Sequence, residues 1–234
     1  MCKTLRLAHV NDIYSGISYQ NPAQFLEDLF QKELQLREET KVERLIKQAK
    51  FLQKKSLSSF QWKEQIHFPA HIDSHELCTL NFIGRNENLI LTGAPGTGKS
   101  HLATGIGYEA CKQGLEVRFY RVSDLGEALE RAWRDGKLSQ FRSRFKNVDL
   151  IILDEMGYVP FNKEGAELLF QLISDWYEQK SLIITSNLEF SQWNRVFSDS
   201  RLTAALVDRV IHHAHILTFT GDSFRVTNAL SRQK

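Results

Sequence analysis

The eight residues Gly93-Ala94-Pro95-Gly96-Thr97-Gly98-Lys99-Ser100 constrain this chain most. They have the spacing G-x-x-x-x-G-K-[ST], a loop that cradles phosphate between a strand and a helix. The flanking text supplies both elements. Residues 89–92, Leu-Ile-Leu-Thr, read as a short buried strand, and residues 100–111 read as a helix. Glycine lets backbone approach a ligand closely. The freed N–H groups and the helix N-terminus then face negative charge. In this arrangement Lys99 is placed to reach the β- and γ-phosphates of a nucleotide, and Ser100 to ligate Mg²⁺. The candidate nucleotide-binding segment is Gly93, Ala94, Pro95, Gly96, Thr97, Gly98, Lys99, Ser100 and His101.

A 234-residue chain with 42% hydrophobic and 25% charged residues has enough apolar material for an ordinary globular core. The net charge of +2 is too small to announce a nucleic-acid partner, so any such case rests on local patches. Cys2, Cys78 and Cys111 are scattered and odd in number, which argues against a disulfide framework and points to the cytoplasm. Residues 1–10 lack the continuous apolar stretch of a signal peptide. No run approaches the 18 or so apolar residues that a membrane helix needs, so no membrane partner is expected.

The N-terminal third differs from the rest. Residues 23–53 read as helix, opened by Asn21-Pro22, with Leu26, Leu29, Phe30 and Leu34 at helical spacing. Val42, Leu45, Ile46, Ala49 and Leu52 continue the pattern. Arg44, Lys47, Lys50, Lys54 and Lys55 fall on the opposite face. Most charged helix faces are simply solvated. Here acidic residues nearly vanish between Arg44 and Lys63, which makes contact with a phosphate backbone the alternative. Residues 67–71 read as a linker. His67, His71 and His75 lie four apart, but Pro69 interrupts any helix and no Cys or carboxylate completes a compact ligand set, so a metal is not expected there. Asp73-Ser74-His75-Glu76 resembles a capping box that starts a helix through Phe82.

Beyond this point strand and helix alternate. Strands are expected at 89–92, 117–120, 149–153, 182–185 and 216–219. Helices are expected at 100–111, 124–134, 139–145, 164–177 and 202–212. Such alternation implies an α/β fold with a five-stranded, mostly parallel sheet covered on both faces. The expected division is a small helical region over 1–72 and a P-loop domain over 73–234.

Residues 150–155, Leu-Ile-Ile-Leu-Asp-Glu, form a second constellation. An apolar strand delivers two carboxylates at its C-terminal tip, where open α/β sheets bind ligands. Asp154 fits the role of Mg²⁺ holder, and Glu155 that of the base that orients and deprotonates the attacking water. A small-molecule P-loop kinase has no use for such a base, so the pair favours an ATPase. Residues 181–187 form a strand that ends in Asn187, placed to touch the γ-phosphate or the lytic water, as an alternative to capping a loop. Arg201 and Arg209 flank the next helix. Either one would serve as an arginine finger supplied to a neighbouring subunit, or as an ordinary surface ion pair. The segment His212-His213-Ala214-His215 has no acidic or cysteine partner nearby in sequence and reads as packing and surface.

The P-loop, Asp154-Glu155 and Asn187 together resemble an AAA+ ATPase. The two helices expected between the second strand and the Asp154 strand are similar to the initiator and helicase-loader clade of DnaA and DnaC. More specifically, four stretches resemble IstB, the helper ATPase of insertion-sequence transposons. They are Gly165-Ala166-Glu167-Leu168-Leu169-Phe170-Gln171-Leu172-Ile173, Thr185-Ser186-Asn187-Leu188 followed by Trp193, Ala205-Leu206-Val207-Asp208-Arg209 with His212-His213, and Gly221-Asp222-Ser223-Phe224-Arg225. The likeness extends over nearly the whole chain, including the Lys50-Phe51 region.

This resemblance implies a Mg²⁺-dependent, DNA-binding ATPase that forms ATP-dependent oligomers on double-stranded DNA. It would help a partner transposase, IstA-like, select its target. The N-terminal helices would serve assembly and DNA binding. The catalytic set would be Lys99, Asp154, Glu155, Asn187 and Arg209, with Arg209 aligned to the finger position. Ser100 and Asp154 would hold the metal. Arg44, Lys47, Lys50 and Lys54 would touch phosphates, with Arg142, Arg144 and Lys146 as a second patch. The usual helical lid is expected to be absent or minimal, which would leave Arg225 as a weak candidate for a second sensor. The alternative is a DnaC-like helicase loader, whose main partner is a protein ring.

Overall fold

The computed structural model of the protein describes residues 2–231, apart from 3, 20 and 198. A short helix α1 (Val10–Ile13) and a long helix α2 (Pro22–Ala49) come first. The strand β1 (Ile66–His67) and the short helices α3 (Ser74–Thr79) and α4 (Asn81–Gly84) follow. The alternating part runs β2 (Asn88–Gly93), α5 (Lys99–Lys112), β3 (Val117–Arg121), α6 (Val122–Arg134), α7 (Leu138–Ser143), β4 (Leu150–Met156), α8 (Lys163–Trp176) and β5 (Ser181–Ser186). It ends with α9 (Asn194–Phe197), α10 (Ser200–Ile211), β6 (Ala214–Phe219) and α11 (Phe224–Ser231).

The strand order is β1-β6-β2-β5-β4-β3. All five expected strands are present and mutually parallel. The sixth, β1, is an addition: it pairs antiparallel with β6, Ile66 opposite Phe219, at the edge of the stretch read as linker. Two residues carry no alternation that sequence could reveal. The five parallel strands read as apolar runs because both sheet faces are covered. Along β2, Ile90 enters one core while Leu89 and Leu91 enter the other. Along β4, Ile151 and Leu153 join the first and Leu150 and Ile152 the second. Helices α6 to α10 cover the first face, centred on Leu125, Leu169, Trp176 and Leu206. Helix α5 covers the second with Leu102 and Ile106, and α3, α4 and the end of α2 close it.

Helix α2 starts as expected: the Asn21 side chain accepts from the Gln24 N–H and Pro22 takes the first turn. It ends sooner than expected, at Ala49, because Lys50 adopts a left-handed conformation (φ 60°). Leu45 and Ala49 are buried, but Leu52, beyond the helix end, is exposed. Of the first apolar set only Leu29 is buried; Leu26, Phe30 and Leu34 face solvent. Glu33 is buried instead, accepting from the Ala8 and His9 N–H groups at 2.7 Å each. The capping box forms, Asp73 accepting from the Glu76 N–H at 2.7 Å, but Leu80 (φ 62°) splits the expected helix in two.

Candidate functional site: a nucleotide cavity at the strand tips

β2 lies between β5 and β6, while the chain leaving it crosses to the far edge at β3. Such a switch point opens a crevice at the C-terminal ends of the strands. Gly93 (φ 134°) ends β2 so close to β6 that a Cβ there would run into the Phe219 carbonyl. Gly98 (φ 106°) turns the chain into α5. Lys99 is buried at the first turn, its Nζ donating to the carbonyls of Gly93 (2.8 Å) and Ala94 (2.7 Å). Burial pushes the Lys99 ammonium down to about 8; the Asp154 carboxylate opposes this and Arg225 adds to it.

Asp154 is buried at the end of β4. Its Oδ1 accepts from the Ser100 hydroxyl at 2.7 Å and from the Thr185 hydroxyl at 2.6 Å. The register between β4 and β5 shifts between Leu153 and Met156. Glu155 sits in that irregularity with φ 63°. A non-glycine residue in that region costs on the order of 1–3 kcal/mol and persists where the surroundings enforce it. Here the Glu155 N–H donates to Thr185 Oγ1 at 3.0 Å. The half-exposed Glu155 carboxylate reaches 3.7 Å from Arg121 Nε, at the tip of β3.

These groups line one cavity of about 660 Å³, a size suited to a nucleotide. Gly96, Lys99, Ser100, Asp154 and Glu155 form its polar end, joined by Arg121 and Arg225. Phe60, His101 and Phe224 supply aromatic wall. Phe60 meets His101 edge-on at 5.4 Å between ring centres. The Phe224 N–H donates to the Gly96 carbonyl at 2.9 Å, fastening the C-terminal helix to the P-loop. The Ser100 and Asp154 oxygens are the donors that a hard cation such as Mg²⁺ takes. Thr185, Arg121, Phe60 and Phe224 were not anticipated from sequence. Thr185 carried a usable signal: it stands on β5, beside β4, two residues before Asn187.

The other expected residues lie elsewhere. Asn187 is exposed just beyond β5 and is not among the residues lining the cavity. Arg201 is exposed at the start of α10. Arg209, on the same helix, lies over the Phe170 ring of α8 at 4.5 Å, and its buried Nη1 has no partner among the described residues. Arg44, Lys47, Lys50 and Lys54 are exposed. Arg142 is engaged by Gln171 (2.8 Å) and Asp175 (3.4 Å), whereas Arg144 and Lys146 are exposed. The helices beside the two basic patches pack on opposite faces of the sheet, Leu45 and Ala49 in one core and Phe141 and Phe145 in the other. His71 Nε2 lies 3.0 Å from His215 Nδ1, and His215 Nε2 lies 2.9 Å from Glu87. His212 and His213, read from sequence as lacking an acidic partner, have one in the fold, Glu178.

The family described as IstB-like ATP binding protein matches residues 8–232. The chain belongs to this family. The ATP-binding protein of insertion sequence IS5376 from Geobacillus stearothermophilus is 37% identical over 214 residues, covering 90% of this chain and 82% of that protein. That of insertion sequence IS232 from Bacillus thuringiensis subsp. berliner is 33% identical over 231 residues, covering 96% and 90%. Among solved structures, AMPPCP-bound DnaA from Aquifex aeolicus superposes with TM-score 0.59 at 21% identity, over 78% of this chain and 55% of that one. This IstB-like chain thus spans about half the length of that DnaA. The DnaC helicase loader superposes with TM-score 0.54 at 22% identity, over 70% of this chain and 96% of that one. These likenesses show that the chain shares the α/β fold of DnaA and the DnaC loader. Among the described residues no helix is long and apolar enough to cross a membrane.

Proposed function

We propose that this protein is a Mg²⁺-dependent ATPase that assembles on double-stranded DNA and assists the IstA-like transposase of its insertion sequence in choosing target DNA. The observation that carries the reading is the join between the two motifs. Ser100 and Thr185 both bond Asp154, and Glu155 projects beside them into the cavity that holds Lys99. Glu155 then takes a proton from the water that attacks the γ-phosphorus, while Lys99 moves from the P-loop carbonyls to the phosphate oxygens. Ser100 and Asp154 would hold the Mg²⁺, which when bound would supply neutralisation of phosphate charge. Asn187, which stands just outside the cavity lining, would turn toward the water or the phosphate when nucleotide binds, and Arg209 would leave the Phe170 ring to act on the site of a neighbouring subunit.

Residues 1–72 form the assembly and DNA element in this reading. The exposed Leu26, Phe30 and Leu34 of α2 support assembly, and the exposed Arg44, Lys47, Lys50 and Lys54 support phosphate contact. Insertion-sequence proteins at 33% and 37% identity favour transposition over helicase loading. The site of action is the cytoplasm, with the three cysteines as free thiols. Binding of random-sequence duplex across a salt series tests the DNA assignment. Lys54→Glu is expected to weaken binding and reduce the salt slope by about one. An unchanged affinity and slope would remove that face from the DNA surface.

A further inference from the structure

Glu178 lies in the turn between α8 and β5, in a left-handed conformation (φ 58°). The Asn86 side chain holds that turn, donating to the Glu178 carbonyl at 3.1 Å. His212 and His213 lie in the turn between α10 and β6. The His213 carbonyl accepts from the Asn88 N–H at 2.7 Å. Both turns are therefore tied to the start of β2, at the opposite end of the parallel strands from the P-loop. Glu178 Oε1 lies 3.8 Å from His212 Nδ1 and 3.6 Å from His213 Nε2. All three donor atoms fall within 4.8 Å of one another.

We propose that Glu178, His212 and His213 form a binding site for a borderline divalent metal ion, of which Zn²⁺ is the best match. In a tetrahedral zinc site with bonds of about 2.0–2.1 Å, neighbouring donors stand about 3.4 Å apart. The two carboxylate–imidazole separations need to close by only a few tenths of an ångström. Two imidazole nitrogens and one carboxylate suit Zn²⁺, Co²⁺, Ni²⁺ or Cu²⁺, whereas Mg²⁺ and Ca²⁺ take oxygen-only sets. The cluster is exposed, so water completes the coordination. The Tyr177 hydroxyl, now 2.6 Å from His212 Nδ1, gives up that hydrogen bond to the ion. The bound ion would pin the α8–β5 turn to the α10–β6 turn, one helical turn from Arg209.

The test is a titration of the tag-free full chain, without nucleotide, with Zn²⁺ by calorimetry and with Co²⁺ by visible absorption. One Zn²⁺ per chain is expected, with the absorption of low-coordinate Co²⁺ and a rise in melting temperature on adding Zn²⁺. Glu178→Gln and His213→Ala are each expected to weaken binding by about tenfold or more and to abolish the thermal rise. His71→Ala, in the other histidine cluster, is expected to leave binding unchanged. The proposal is overturned by no Zn²⁺ binding, by equal binding in the wild type and His213→Ala, or by loss of binding in His71→Ala alone.

Discussion

Lys99 must carry charge to meet a triphosphate, yet it is buried, and its pKa is pushed from the ordinary 10.5 down to about 8. Above pH 8 the nucleotide-free P-loop therefore holds mostly neutral lysine. A bound triphosphate restores the ammonium, so binding takes up a proton in the window between about 8 and 10.5. The affinity then falls by the factor 1 + 10^(pH − 8). That is about twofold at pH 8 and about elevenfold at pH 9, or about 1.4 kcal/mol, relative to the neutral plateau. The same shift acts on stability with the opposite slope. The charged, buried lysine costs the nucleotide-free fold stability below pH 8, and that cost is relieved as pH rises toward the unfolded value. Calorimetry with a non-hydrolysable ATP analogue at pH 7, 8 and 9, in buffers of differing ionisation enthalpy, reads affinity and proton uptake together. About 0.9 proton should be taken up at pH 9. Lys99→Arg, which stays charged, should bind with a flat pH profile. A flat profile and no proton uptake in the unaltered protein would refute the reasoning.

Glu155→Gln should bind ATP normally but hydrolyse it about 10²–10⁴ times more slowly, leaving complexes stranded on DNA; turnover at the normal rate would remove Glu155 as the base. Gly93→Ala, whose Cβ would meet the Phe219 carbonyl at φ 134°, should lose nucleotide binding and at least about 1–3 kcal/mol of stability in chemical denaturation. An unchanged midpoint would mean that β2 and β6 are less tightly joined there. Trp176→Ala, in the core under α8, should cost about 3–5 kcal/mol by the same assay.

Much of this molecule is legible because its strands are buried on both faces. Ile90, Ile151 and Ile184 face one core while their neighbours face the other, so the strands stand out as apolar runs between amphipathic helices. The P-loop and Asp154-Glu155 are legible because phosphate and metal chemistry demand particular residues at fixed spacing. What stayed hidden depends on contacts between distant parts of the chain. The apolar period of α2 continues past Ala49, but Lys50 turns left-handed and Leu52 leaves the core. A carboxylate at the Glu33 position of a helical stripe reads as surface, yet it is buried on the backbone of Ala8 and His9. Phe60 and Phe224 join the cavity, and Thr185 bonds Asp154, through tertiary packing. Glu178 meets His212 across 34 positions, beyond any local pattern.

The central claim is that ATP binding builds an assembly on duplex DNA and hydrolysis takes it apart. Sedimentation of the purified chain, with parallel phosphate release, tests it with and without random-sequence duplex DNA. The expected result is large complexes only when ATP and DNA are both present, dispersing as phosphate appears and persisting in Glu155→Gln. Sedimentation and hydrolysis rates indifferent to duplex DNA would contradict the account.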